Sequence, residues 1–141
     1  MIVLDTNVIS EMLRAVPSPN VARWIVAQPE HELYITAVTE AEIRVGVNMM
    51  PSGKRKAQLQ ATIDQAIGQV FEGKILPFDS AAAAAYADIW AKRRAAGKPI
   101  SQFDAQIAAI ARANGAAAIV TRNVDDFANL NLNLINPWDA A

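Results

Sequence analysis

The chain is 141 residues long, with a hydrophobic fraction of 52%, a net charge of −1, a single histidine and no cysteine. A chain of this length usually forms one domain with its own core, so we expect residues 1–141 to be a single domain. The composition excludes disulfides and thiolate metal sites, and one histidine argues against a histidine-built zinc site. No stretch reaches the roughly 18 apolar residues of a membrane span, and no signal peptide is visible. We therefore expect a cytoplasmic protein whose metal, if it has one, is a hard cation with oxygen ligands.

The charge balance is compatible with a polyanionic ligand but does not identify one. The chain has 14 Asp plus Glu and 13 Lys plus Arg. If three acids were committed to a metal, 11 would remain against the 13 basic residues, which leaves a mildly basic outer surface.

Strand-like and helix-like segments alternate along the chain. Short runs of aliphatic and β-branched residues predict strands at about 2–5, 33–36, 74–78, 117–120 and 132–135. Apolar residues at helical spacing, bounded by Pro and Gly, predict helices at about 7–14, 20–28, 39–50, 54–71, 80–96 and 102–114. This alternation calls for βαβ units, so we predict an α/β fold with a mostly parallel sheet.

Three acidic residues, Asp5, Glu42 and Asp104, stand close to predicted strand ends or helix starts. Each has a structural interpretation when it is taken alone. Asp5 directly precedes a helix and suits an N-cap. Thr39-Glu40-Ala41-Glu42 and Ser101-Gln102-Phe103-Asp104 both have the spacing of a capping box, with the acid at the third helical position. None of these signals alone establishes a functional site.

Together, the three acids are predicted to share one edge of the sheet. Asp5 ends the first strand, and Glu42 lies in the helix that follows the second. The helix that begins at 102 runs for about 20 Å. The fourth strand returns by about 16 Å, which brings residues 121–126 back to the level of Asp104. Ligands bind beyond the carboxyl ends of parallel strands, and clustered carboxylates repel unless a cation lies between them. We therefore favour a divalent metal site.

With these residues identified, the chain resembles a PIN-domain ribonuclease, and most of all the VapC/FitB-type toxins of bacterial toxin–antitoxin pairs. The matching segments fall in order over nearly the whole chain. They are MIVLDTNVISE at 1–11, AEIRVGV at 41–47, ILPFD at 75–79, FDAQIAA at 103–109, VTRNVDDF at 120–127 and NPW at 136–138.

The resemblance implies a PIN-like three-layer α/β/α sandwich with a five-stranded, mostly parallel sheet and Mg²⁺ or Mn²⁺ bound at its edge. It assigns Asp5, Glu42 and Asp104 to an acidic triad, with Asp5 and Asp104 as the firmest metal ligands. A fourth acid often falls where this chain has Asn123, and Asp126 is the nearby substitute. Because Asp126 suits a turn or a cap equally well, the number of metals, one or two, stays open.

The implied activity is hydrolysis of RNA phosphodiester bonds to 5′-phosphate and 3′-hydroxyl ends. A metal held by two Asp residues supplies an activated water and offsets the charge on the phosphate without any histidine. Glu42 either ligates the metal or accepts the proton of the water. The candidate substrate-binding residues are Thr6, Asn7, Arg44, Thr121 and Arg122. For Thr6, Asn7 and Thr121, the sequence agrees about equally well with a purely structural role at a helix start or strand end.

Basic and aromatic residues outside the triad have two interpretations each. Lys54-Arg55-Lys56 opens a helix and is the better candidate for contact with an RNA backbone. The basic group at 92–94 is predicted to be a solvated helix end, where cations are favoured. The tryptophans at 24, 90 and 138 are predicted to pack in the core or in a dimer interface.

The resemblance also implies protein partners and leaves two alternatives open. The partners are a cognate antitoxin, whose C-terminal segment can place an arginine among the acids, and a second copy of the chain, with larger assemblies possible in principle. The apolar stripe of the helix at 54–71 is a candidate dimer surface. An aspartate-nucleophile phosphatase would use Asp5 but usually has a second Asp where this chain has Asn7. A PIN-like binding module without activity is favoured only by the amide at 123.

Overall fold

A computed structural model describes residues 1–139 as strands and helices in alternation. The strands are β1 (Ile2–Leu4), β2 (Leu33–Thr36), β3 (Ile75–Leu76), β4 (Ala118–Val120) and β5 (Leu134–Ile135). The helices are α1 (Thr6–Met12), α2 (Pro19–Ala27), α3 (Ala37–Asn48), α4 (Lys54–Gln65), α5 (Ser80–Ala95) and α6 (Gln102–Ala113). A π-helical turn, Ala66–Val70, continues α4, and short 3₁₀ turns span Glu30–Glu32 and Val124–Phe127.

The five strands form one parallel sheet in the order β3-β2-β1-β4-β5. The strand β1 is central, with Ile2 opposite Leu33 on one side and Ala118 on the other. Because all strands point the same way, the residues after β1, β2 and β4 meet at one edge of the sheet. The predicted α/β fold with a five-stranded parallel sheet is confirmed.

Alternation along the central strands divides the core between two faces of the sheet. Val3 and Ile119 belong to a cluster with Ile89 and Ile107 of α5 and α6. The next residue of each strand, Leu4 and Val120, belongs to a second cluster. That cluster also contains Val8 of α1, Val21 of α2 and Phe71. Successive side chains of a strand point to opposite faces, so helices cover both faces of the sheet. This is the three-layer arrangement.

The apolar stripe of α4 and the π turn packs inside the molecule. Leu59, Ile63 and Ile67 contact Ile43 and Val47 of α3 in a third apolar cluster. Contact with α3 therefore buries Ile63 and part of Leu59 and Ile67 within one molecule, whereas Val70 is 40% exposed. No helix within residues 1–139 is long and apolar enough to cross a bilayer.

The two predicted capping boxes have different outcomes. At α6, Ser101 is confirmed as the N-cap, since its hydroxyl accepts a hydrogen bond from the Asp104 backbone N–H at 3.2 Å. The one at Thr39 is wrong, because α3 begins earlier and Thr36 is its N-cap, accepting from the Thr39 N–H at 3.1 Å. The last residue of β2 thus caps the next helix without an intervening loop. Glu42 consequently lies in the second turn of α3 rather than at its third position.

Candidate active site

Asp5 is a buried carboxylate at the end of β1, with only 4% of its surface exposed. Its Oδ1 accepts the Thr6 backbone N–H at 2.8 Å, so it also caps α1. Its Oδ2 accepts the Thr121 hydroxyl at 2.8 Å and the Asn7 side-chain amide at 3.2 Å. Burial raises the pKa of Asp5 from 3.8 to about 6, against the opposing effect of the hydrogen bonds from Thr121 and Thr6. The negative charges of Asp104 and Glu42 raise this pKa further.

A hydrogen-bond network fixes the loop after β4 against the start of α1. The fully buried Thr121 hydroxyl, besides donating to Asp5, accepts from the Asn7 amide at 3.3 Å and from the Asn123 N–H at 3.0 Å. The Asn7 side-chain oxygen in turn accepts the Arg122 N–H at 3.3 Å. Asn7 and Thr121 therefore hold the site together.

Glu42 is joined to Asp5 through Thr6. The Thr6 hydroxyl donates to Glu42 Oε1 at 2.8 Å and lies 3.0 Å from the Thr39 hydroxyl. Since the N–H of the same threonine is donated to Asp5, one residue bridges the ends of β1 and α3. The early start of α3 is what brings Glu42 to this position, one turn beyond Thr39.

Asp104 is half-buried in the first turn of α6, with its N–H held by Ser101. Burial raises its pKa, and the negative charge of Asp126 raises it further. The hydrogen bond with Ser101 and the positive charge of Arg93 act in the opposite direction. The two aspartates of the predicted triad thus both hold their negative charge less readily than an exposed acid.

The three acids line one open cleft of about 470 Å³. Among the predicted site residues, those that line it are Asp5, Thr6, Asn7, Glu42, Asp104, Arg122 and Asn123. None of the three acids forms an ion pair with a cation from residues 1–139. The three acids therefore face the cleft without an ion-pair partner from the described part of the chain.

The donor set of the cleft has the chemistry of a site for a hard divalent cation. Carboxylate and amide oxygens are the ligands of Mg²⁺ and Mn²⁺, and Mg²⁺ commonly binds through one or two carboxylates together with waters and substrate phosphate. Within residues 1–139, no group of three His, Cys, Asp or Glu side chains is arranged so that all three could hold one metal ion. The arrangement suits an ion held by Asp5 and one neighbouring acid, with the remaining positions left to water and substrate.

Three predicted site residues do not line the cleft. Thr121 is fully buried and reaches the site through its hydrogen bond to Asp5, whereas Arg44 and Asp126 lie outside it. Arg44 donates to Glu40 at 2.8 Å and to Asp64 at 2.9 Å, so it pairs with acids that are not part of the triad. Asp126 is exposed and acts on the site only through its charge near Asp104. Of the two candidates for the fourth position, Asn123 is the one that lines the cleft.

The basic residue Arg93 is not part of a solvated helix end. It is 6% exposed, and its guanidinium donates to the backbone carbonyls of Lys98 at 2.7 Å, Asp126 at 2.7 Å and Ala128 at 3.2 Å. The prediction for this residue is wrong because the turn after β4 folds back over α5 and buries it. Arg93 joins the loop before α6 to that turn.

Four further residues of the cleft were not predicted from the sequence. Three of them, Ser10, Glu11 and Arg14, lie on the same face of the chain that follows Asn7, at spacings of three, four and seven residues. That helical spacing is the signal that identifies them. The buried Glu11 carboxylate accepts the Ser18 N–H at 2.8 Å and pairs with Arg14 at 3.1 Å; these contacts lower its pKa. The fourth residue, Trp138, is distant in sequence and has no such signal.

Comparison with known proteins assigns the family. The PIN domain family matches residues 2–131. The chain is 43% identical over 141 residues to the VapC ribonuclease Y4jK of Sinorhizobium fredii, with 100% of both chains covered. It is 40% identical over 138 residues to Toxin FitB of Neisseria gonorrhoeae, with 98% of this chain and 99% of that protein covered.

Structural comparison agrees with the sequence comparison. The crystal structure of FitAcB from Neisseria gonorrhoeae superposes with a TM-score of 0.93 at 40% identity, covering 99% of each chain. The chain therefore belongs to the PIN-domain family. The two relatives compared above, which match over nearly their full length, are a VapC ribonuclease and Toxin FitB.

Proposed function

We propose that the chain is a metal-dependent endoribonuclease and the toxin of a toxin–antitoxin pair. The observation that carries the proposal is the cleft in which Asp5, Glu42 and Asp104 meet without a basic partner from the described residues. Family membership and the ribonuclease and toxin names of the two relatives point to the same activity. Family membership also favours this nuclease over the aspartate-nucleophile phosphatase.

The residues proposed to hold Mg²⁺ or Mn²⁺ are Asp5 and Asp104, with Glu42 as a further ligand or as the proton acceptor. When bound, the ion supplies Lewis-acid activation of a water and stabilises charge on the phosphate. Thr121 and Asn7 orient Asp5 through its Oδ2, and the Thr6 N–H holds its Oδ1. Three hydrogen bonds would therefore have to break for this carboxylate to turn away.

Glu42 is proposed to accept a proton in the cleft. The Thr6 hydroxyl holds its Oε1, and its Oε2 forms no hydrogen bond with residues 1–139. A carboxylate anchored by one oxygen can present the other to a water that attacks phosphorus. The side chains of Arg122 and Asn123 line the same cleft and are proposed to contact the RNA strand.

The proposed protein partner is an antitoxin that inserts a cation into the cleft. The three acids form no ion pair within residues 1–139, and an arginine side chain of a partner would supply a fork of donors that suits carboxylates. Such an insertion would occupy the place of the metal and of the substrate phosphate. Inhibition and metal binding are therefore expected to be mutually exclusive.

We propose that a second copy of the chain covers an apolar groove beside the cleft. The groove, of about 510 Å³, is lined mainly by α3 and the first turns of α6, and it adjoins the acidic cleft at Glu42. Val45 and Phe103 in it are 59% and 54% exposed. Adjacent exposed apolar side chains of this size are typical of a protein interface and not of a nucleic-acid interface.

The oligomeric state provides the test of that surface. Val45→Lys is expected to convert a dimer into a monomer, because it places a charge in the apolar groove. Val26→Lys is the matched control, since Val26 is 82% exposed on α2, which does not line the groove. Light scattering during size exclusion measures the mass of each variant. A monomeric wild type, or a dimer that survives Val45→Lys, contradicts the proposed surface.

The nuclease proposal is tested by incubating purified, antitoxin-free protein with RNA and Mg²⁺ or Mn²⁺, with and without EDTA. Asp5→Ala and Asp104→Asn are expected to reduce cleavage to the background level. Asp64→Asn is the matched control, because Asp64 is exposed and pairs with Arg44 outside the cleft. Cleavage that survives both cleft substitutions, or that is insensitive to chelation, would rule out the proposed site.

A further inference from the structure

The indole of Trp138 and the guanidinium of Arg122 form a stacked pair at the rim of the cleft. The Arg122 guanidinium carbon lies 5.2 Å from the centroid of the Trp138 ring. Both side chains line the cleft that contains Asp5 and Asp104. Trp138 is half-buried and packs against the apolar cluster that contains Leu4.

Backbone contacts hold this pair in place relative to the acids. The Trp138 N–H donates to Asn136 Oδ1 at 3.0 Å, and its carbonyl accepts the Asn20 side-chain amide at 2.9 Å. Asn136 also donates to the Arg122 carbonyl at 3.5 Å. On the other side, the Arg122 N–H binds Asn7, which contacts Asp5. The pair is thus fixed to the same residues that orient the proposed metal ligand.

Packing alone explains only half of this arrangement. It accounts for the contact between the indole and the apolar cluster. It does not account for the placement of a cation over the ring at the open cleft, where Arg122 forms no ion pair with residues 1–139. An arginine beside three acids would gain more from pairing with one of them than from stacking on an indole.

We propose that Arg122 and Trp138 form a stacking site for an unpaired nucleobase of the RNA, adjacent to the phosphate that is cleaved. This proposal rests on the proposed ribonuclease function and names how that site holds its substrate. Single-stranded RNA is bound through aromatic rings and guanidinium planes, on which bases stack with little regard to sequence. The positive charge of Arg122 also favours the phosphate that follows the base. The site therefore selects unpaired strands and places one backbone linkage over the acids.

The test compares RNA with and without bases, in EDTA, so that binding is measured without turnover. The probes are a uridine hexamer and a hexamer of the same backbone whose nucleotides are abasic. Wild type is expected to bind the uridine hexamer about 5- to 100-fold more tightly than the abasic one, the range that stacking of one base provides. Trp138→Leu is expected to remove most of this ratio, and Trp138→Phe to keep most of it.

Trp90→Leu is the matched control, since Trp90 is also a partly exposed indole in a stack, with Tyr86, and does not line the cleft. This variant is expected to keep the wild-type ratio. A Trp138→Leu variant that weakens both hexamers equally, or a wild type that shows no difference between them, would overturn the stacking site. If Trp138→Leu fails to fold, Arg122→Gln decides, because Arg122 is exposed: a reduced ratio supports the site and an unchanged ratio overturns it.

The outcome is separable from that of the nuclease proposal. Base-dependent binding without cleavage in Mn²⁺ would leave the stacking site standing and remove the catalytic function. Cleavage in Mn²⁺ with no base-dependent binding would support the catalytic function and overturn the stacking site.

Discussion

Asp5→Asn is expected to stabilise the metal-free protein while it removes activity. The pKa of Asp5 is raised from 3.8 to about 6 by burial, so the folded state holds the charged carboxylate less favourably than the unfolded chain does. At pH 7 the corresponding penalty is about 3 kcal/mol, since each unit of pKa difference corresponds to about 1.4 kcal/mol. An uncharged amide of the same shape avoids this penalty. It loses part of the hydrogen bonding with Thr121, so a net gain of about 1–3 kcal/mol is expected.

The pH dependence gives the same prediction a sign. A raised carboxyl pKa destabilises the folded state above about pH 6, and this destabilisation fades as the pH falls toward the unfolded value of 3.8. The gap in unfolding free energy between Asp5→Asn and wild type should therefore shrink by about 1.3 kcal/mol between pH 7 and pH 5.

Urea denaturation in EDTA measures both quantities. Addition of Mn²⁺ should reverse the order of stability, because the ion binds the folded wild type and has lost a ligand in the variant. An Asp5→Asn protein that is less stable than wild type in EDTA, or a gap that does not change with pH, would refute the assignment of burial as the dominant influence on Asp5.

Two further substitutions test the contacts that hold the site. Thr121→Val removes the hydroxyl that donates a hydrogen bond to Asp5, so the acidic limb of the pH–activity profile is expected to move to higher pH. Binding of Mn²⁺ is expected to weaken by roughly 10- to 100-fold, which corresponds to the loss of one hydrogen bond to a charged group. Thr121→Ser should restore both, and an unchanged pH profile in the valine variant would contradict this role. Arg93→Met leaves three backbone carbonyls without their donor and should lower the free energy of unfolding in urea by about 2–4 kcal/mol. Arg94 is exposed, so Arg94→Met is the control and should change the free energy of unfolding little. Equal effects of the two methionine substitutions would contradict the role of Arg93.

Local patterns predicted those parts of the site that depend on neighbours in sequence. The apolar run of β1 followed by Asp5 placed this acid at a strand end, and Ser101 identified the start of α6 with Asp104 at its third position. Both depend on hydrogen bonds or burial within a few residues. The parallel sheet then made the meeting of these ends a consequence of topology.

The wrong predictions concern residues whose contacts depend on segments distant in sequence. Two threonines three residues apart, Thr36 and Thr39, both suit an N-cap, and only the direct passage from β2 into α3 selects the first. The pairing of Arg44 with Glu40, four residues earlier, could be predicted from local spacing. The second partner of Arg44 is Asp64, which lies in α4. Spacing alone cannot show such a contact.

Burial of a residue by segments distant in sequence also cannot be predicted from its neighbours along the chain. The turn after β4 buries Arg93, and the last described turn of the chain brings Trp138 to the cleft. The raised pKa of Asp5 also depends on packing from both sides of the sheet, so the position of the acid was predictable and its electrostatics were not.

The central claim is that the acids of the cleft activate a water that attacks the RNA phosphate. The most direct measurement is cleavage of RNA with Mn²⁺ in ¹⁸O-labelled water, followed by mass spectrometry of the product ends. A water nucleophile places one ¹⁸O atom on a 5′-phosphate and leaves a 3′-hydroxyl on the other fragment. Unlabelled 2′,3′-cyclic phosphate ends would show attack by the neighbouring ribose hydroxyl instead and would contradict the account.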